Sequence, residues 1–198
     1  MSEFPILTVL VLLPVVGALV TAVTSKRSPD NVRLVALAFS VVTAALSVWL
    51  FFAFDSGAAQ GGDFQFVSKH SWIEQWGISW HLGVDGISLV LVVLTGLLFP
   101  LALIGADPHH DMKLYLAWLL MLEAGVMGSF LSLDLFVFFI FFEIVLVPMY
   151  FLIGGWGYGE RIYAATKFFI FTMFGSAFML VGILTTVMLS REQLGGIT

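Results

Sequence analysis

The sequence predicts an all-α integral membrane protein of about six transmembrane helices, with little mass outside the bilayer. Of 198 residues, 60% are hydrophobic and only 11% charged, too few polar side chains to cover a soluble domain of this length. Mean hydropathy is +1.05. Apolar stretches close to the ~20 residues that a crossing needs recur from one end of the chain to the other.

The first stretch, Phe4 to Val23, is longer than a secretory h-region. Only Met1, Ser2 and Glu3 precede it, so it has no basic n-region; it reads as a retained helix and not a signal peptide. Further spans follow at Val32–Phe54, Ile87–Ile104, Leu114–Leu131, Leu135–Ile153 and Tyr163–Leu189. The short linkers between them carry Pro, Gly, Asp or Ser, which suit turns and helix ends. Asp55 to Gly86 form the one sizeable loop. Its Trp72, Trp76 and Trp80 recur at about one helical turn, which predicts a short amphipathic segment anchored at the headgroups.

Lysine and arginine asymmetry predicts orientation. One set of alternate loops holds Lys26, Arg27, Arg33, Lys113, Arg161 and Lys167; the other holds Lys69 and Arg191. The first set is expected in the cytoplasm, which puts the amino terminus and the 55–86 loop outside a plasma (bacterial inner) membrane. The formal charge of −5 is spread over short loops, and no basic patch suggests nucleic acid. Cysteine is absent, which removes disulfides and iron–sulfur ligation. His70, His81, His109 and His110 fall in loops, leaving no histidine inside the bilayer for haem. A methionine or tyrosine ligand is an unusual alternative, so no redox centre or other cofactor is expected on this chain. No metal-ligand cluster or nucleophile triad appears, and HLGVDGIS (81–88) lacks the spacing of a nucleotide-binding fingerprint.

Two carboxylates stand out. Glu123 and Glu143 each lie ten residues from Leu133, in the turn between the fourth and fifth spans. At ~1.5 Å per residue both sit about 15 Å from one face, near the middle of a ~30 Å hydrocarbon core. An ionisable group there costs at least ~2.5–3.5 kcal/mol and persists when it faces protein or a water path. Glu143 is read as a proton-relay carboxyl; Glu123 is either that or a helix-packing hydrogen bond. Pro148, five residues after Glu143, lacks an amide hydrogen and crowds the Ile144 carbonyl, so a kink is expected. Lys167 either snorkels to the interface or leans towards Glu143. Asp85, Asp107, Asp134 and Glu160 read as caps or turn residues.

LFVFFIFFEIVLVPMYFLIGGWG (135–157), ERIYAATKFFIFT (160–172) and LGVDGISLVLVVLTGLLFPLALI (82–104) together resemble the antiporter-like membrane subunits of respiratory complex I, the bacterial subunit M and mitochondrial subunit 4 family. The resemblance covers essentially the whole chain. It implies the start of a fold of about fourteen helices with inverted repeats. Residues 1–110 would be three lead-in helices with the 55–86 loop, and residues 111–198 the first three helices of the first repeat. The family's fifth-helix glutamate corresponds to Glu143, which would pair with a seventh-helix lysine in a proton channel. Lys167 matches the sixth-helix lysine, and Glu123 a position where members vary. The sequence departs from the pattern by stopping before a seventh helix, so it would need further polypeptide to complete a proton path. NADH, FMN, iron–sulfur clusters and quinone would belong to other subunits; other complex I membrane subunits, the lipid bilayer and transported protons would be the partners. Two other readings fit the residues: a subunit of a multi-subunit sodium/proton antiporter, or a redox-inert anchor in a hydrogenase-type complex.

Overall fold

A computed structural model describes residues 5–24, 29–55, 64–73 and 77–193. Lys26, Arg27 and Trp76 lie outside the described residues, and the side chain of Arg191 is likewise not described. Among the described residues six helices are long and apolar enough to cross a membrane: α1 Ile6–Val23, α2 Pro29–Ala53, α3 Gly86–Gly105, α4 Met112–Leu131, α5 Leu135–Trp156 and α6 Arg161–Gln193. Each coincides with an expected span, with ends shifted by a few residues, the ordinary uncertainty of helix termini.

Helix α4 is the hub, packing against α1, α2, α3 and α5, while α6 packs on α5 at the edge. The apolar core divides into two clusters. One gathers Leu7, Leu10, Leu50, Val92, Met127 and Leu131 with the hairpin described below. The other gathers Ala18, Val32, Ala36, Leu103, Leu116 and Leu120. Between them α2 contributes Ser40, Thr43 and Ser47, and α4 contributes Glu123, all fully buried. The middle of α2 and α4 thus forms a polar layer between two apolar clusters. Pro14, Pro100 and Pro148 lie buried inside α1, α3 and α5, so each of these helices loses one interior hydrogen bond.

The 55–86 region departs from the expected amphipathic helical segment. It contains an antiparallel hairpin, β1 Gln65–Ile73 and β2 Ile78–Val84, with Lys69 opposite His81 and His70 opposite Trp80. Trp72 and Trp80 fall on opposite strands of the hairpin, so their spacing reflects no helical turn, and β-branched and aromatic residues favour strands. Trp80 is not a lipid anchor: its indole N–H donates to Thr8 Oγ1 at 3.1 Å and its ring meets Phe141 edge-on at 5.7 Å. Trp72, on β1, is exposed.

The hairpin is pinned to the α4–α5 turn. Leu133 N–H donates to His81 O at 2.9 Å, and Ser79 N–H donates to Asp134 Oδ2 at 3.0 Å. The other Asp134 oxygen caps α5, accepting from Phe136 N and Val137 N, a contribution of about 1 kcal/mol. Asp85 forms a capping box with Ser88 at the start of α3, and those hydrogen bonds hold its carboxyl below the usual range. Burial and the Lys69 charge lower the His81 imidazole, against an opposing pull from Asp134.

At the opposite face the odd-numbered helices end, and basic side chains cover their open carbonyls. Arg33 donates to Ile104 O, Lys113 to Thr24 O and Arg161 to Gly155 O. Cations at helix C-termini also complement the helix dipole. Part of the basic asymmetry in the sequence therefore has a local structural cause.

Candidate functional site: the carboxyls of helices α4 and α5

Glycines set the approach of α4 to α5. A Cβ at Gly125 would lie 2.8 Å from Val145 Cγ2 and 3.4 Å from its backbone nitrogen. A Cβ at Gly128 would overlap three ring carbons of Phe141. Gly125 therefore lies opposite Val145, which gives the depth of both carboxylates. Glu123 is two residues before Gly125 and Glu143 two before Val145, in helices that run in opposite directions. Four residues at ~1.5 Å each separate them by about 6 Å in depth. The matching depth expected from the turn at Leu133 shifts by about one helical turn, because α5 enters the pair lower than α4 leaves it.

The two carboxyls also face different ways. Two residues span about 200° of a helix, so Glu123 and Glu143 each turn away from the seam that Gly125 and Val145 form. Glu123 points towards α2, where its Oε1 accepts from Ser40 Oγ at 3.2 Å; its Oε2 is buried and has no partner among the described residues. Glu143 shares its stripe of α5 with Tyr150 and Gly154, seven and eleven residues on. Tyr150 packs edge-on against Phe169 of α6 at 5.5 Å, and Gly154 approaches Ala165. Both pairs give one antiparallel register, and in it Glu143 is level with Ser176, a buried hydroxyl of α6. Ser176 Oγ itself donates to Met173 O at 3.0 Å.

Glu143 Oε1 is shielded and has no hydrogen-bond partner among the described residues. An unpaired acceptor of this kind calls for water or a further donor. Pro148 adds a second polar group nearby, since it deprives the Ile144 carbonyl of its helical donor. Ser176 escaped the sequence reading because a serine in an apolar helix is unremarkable until packing register is known.

Lys167 is not brought to Glu143. The α5–α6 register places it level with residue 152, nine residues or about 14 Å along the axis from Glu143. It lies two positions from Ala165 and so on the opposite side of α6, exposed, with Nζ 5.8 Å from the Tyr163 ring centre. Of its two expected placements, leaning towards Glu143 is not the one this register gives. Among the described residues no group of three or more His, Cys, Asp or Glu could hold a metal.

Comparison with known proteins bears on this arrangement. Residues 132–193, which contain Glu143, Pro148, Lys167 and Ser176, match the family described as "NADH:quinone oxidoreductase/Mrp antiporter, TM". NADH-quinone oxidoreductase subunit M of Rhodobacter capsulatus is 42% identical over 190 residues, covering 93% of this chain and 36% of its own length. The subunit M of Rickettsia bellii is 38% identical over 191 residues, covering 93% of this chain and 38% of its own length. Both relatives are matched over nearly the whole of this chain. The chain spans under half the length of the relatives it matches, 38% for the Rickettsia protein.

Two solved structures share this fold. A chain of respiratory complex I from Thermus thermophilus with bound NADH superposes with a TM-score of 0.78 at 24% identity, over 93% of this chain and 36% of that one. A chain of the membrane-bound sulfane sulfur reductase, an archaeal respiratory membrane complex, gives 0.72 at 20% identity, over 90% and 36%. The chain is an integral membrane protein whose six described spans share the fold of part of those chains.

Proposed function

We propose that this chain is the amino-terminal part of a proton-translocating membrane subunit of NADH:quinone oxidoreductase, with Glu143 as its principal proton-carrying group. The observation that carries the proposal is the shielded Oε1 of Glu143, without a hydrogen-bond partner among the described residues, deep in an apolar helix and inside the segment that matches the family. The redox cofactors NADH, FMN, iron–sulfur clusters and quinone belong to other subunits, and this chain converts energy without carrying electrons. Glu123 and Lys167 remain secondary members of the path. Lys167, on the outer face of α6, serves whatever helix packs there.

The match to the family that also includes Mrp antiporters makes sodium/proton exchange the second reading. Relatives named NADH-quinone oxidoreductase subunit M at 36–42% identity favour the first. Deleting the coding segment in the source organism separates the two. Membrane vesicles are expected to lose NADH-driven, quinone-linked proton uptake while sodium/proton exchange is unchanged. Loss of exchange with intact NADH-driven uptake would establish the antiporter reading instead.

The proposed orientation places the hairpin outside, with the face bearing Arg33, Lys113 and Arg161 in the cytoplasm. Val67 on β1 is exposed, and the chain has no cysteine, so Val67→Cys supplies a single thiol. A membrane-impermeant maleimide is expected to label it in intact cells. Labelling only from the cytoplasmic side would reverse the topology.

A further inference from the structure

We propose that the first four helices enclose a second, hydrated proton site, in which Ser40 holds Glu123 and internal water completes the hydrogen bonding of the carboxyl. The existence of this site does not depend on the role given to Glu143; its share in proton translocation rests on that reading.

The site is built from four helices at one depth. The Ser40–Glu123 hydrogen bond ties α2 to α4 in the polar layer between the two apolar clusters. Lys113 reaches Thr24 O, which sets α1 against α4 and brings Pro14 to the level of Glu123. Arg33 reaches Ile104 O, and Gly96 packs on Ser47, which sets α3 against α2 and brings Pro100 to the level of Ser40. Both prolines are buried. Each strips one carbonyl, that of Leu10 or Gly96, of its helical donor.

This layer therefore gathers a carboxyl oxygen with no partner among the described residues and two carbonyls deprived of their helical donors. The neighbouring hydroxyls are already engaged: Thr43 and Ser47 donate to Phe39 O and Ala44 O, and Thr95 to Leu91 O. Burying Glu123 Oε2 unsatisfied would cost about 1–3 kcal/mol or more. A carboxyl O–H or a water can donate to a carbonyl, and water can also donate to Oε2. Buried waters of this kind typically make about three hydrogen bonds to otherwise unpaired polar groups. By sequence, α1 and α3 carry no ionisable side chain, and those of α2 and α4 other than Glu123 cluster near the helix starts at Asp30, Arg33, Lys113 and Tyr115. With no cation in the layer, a mobile proton is the counter-charge the site can accept.

Infrared difference spectroscopy on the native membrane assembly, perfused alternately with H₂O and D₂O, tests this. A carboxylic C=O band is expected to shift down as the carboxyl O–H becomes O–D and the proton leaves as HOD, within the time of buffer exchange. Glu123→Gln is expected to remove that band, and Glu143→Gln to leave it. Ser40→Ala should move it to higher wavenumber, because Oε1 loses its donor, and Ser40→Thr should restore it. If Glu123→Gln does not assemble, the Ser40→Ala shift makes the assignment. A spectrum without such a band, or a band that resists exchange as long as the helix amides do, would overturn the site. Neither outcome depends on whether Glu143 carries protons, which proton uptake reads separately.

Discussion

Glu143→Gln is expected to leave the assembled complex intact and to lower proton uptake by roughly a hundredfold, the low end of what a positioned proton-transfer group contributes. Glutamine keeps the size of the side chain and its hydrogen-bonding capacity while abolishing titration. If Glu143 served only packing against α6, the amide could satisfy the same neighbours and the loss would be small. If it loads and unloads protons, no rearrangement of hydrogen bonds replaces the missing step. Glu160→Gln, at the exposed turn before α6, is the control and is expected to retain nearly full activity. Wild-type turnover together with wild-type proton uptake in sealed vesicles for Glu143→Gln would end the relay role and leave Glu143 a structural group.

Gly128→Ala is expected to destabilise the bundle by about 1–3 kcal/mol, as overpacking of a filled interior does. The added methyl would overlap three carbons of the Phe141 ring. That ring cannot retreat freely, because Trp80 lies against it and is itself tethered to Thr8. Thermal inactivation of the detergent-solubilised assembly reads the effect. Gly182→Ala in α6, where a Cβ meets nothing within 4 Å, should be neutral or slightly stabilising, since alanine is the better helix former by about 1 kcal/mol. Adding Phe141→Leu to Gly128→Ala should recover part of the loss. Equal behaviour of the two glycine variants would show that α4 and α5 do not meet as closely as described.

The six spans were legible because membrane helices announce themselves by length: about twenty apolar residues admit few other readings. Glu123 and Glu143 were legible for the complementary reason, as charges where none is cheap. What was not legible depends on packing partners. The hairpin at 65–84 was hidden because Trp72 and Trp80 keep a helical spacing although they sit on opposite strands. Ser40 could not be joined to Glu123, since nothing in either helix shows that α2 packs on α4, 83 residues away in sequence. Which way Lys167 goes could not be read either, because the register of α6 on α5 is set by the contact of Gly154 with Ala165. Ser176 came into view only through the same register.

The prolines have a mechanical consequence. Pro14, Pro100 and Pro148 sit in α1, α3 and α5, the three helices that run from the hairpin face to the basic face. The α4 helix and the described length of α6 contain none, and in α2 the proline is the first residue, where it interrupts nothing. Helices of one direction thus each carry a soft joint, while their antiparallel neighbours are unbroken struts. A push along the membrane plane would bend the odd helices at mid-depth, where Glu123 and Glu143 lie, and leave both ends of the bundle in register. The fold places its compliance at the level of its carboxyls.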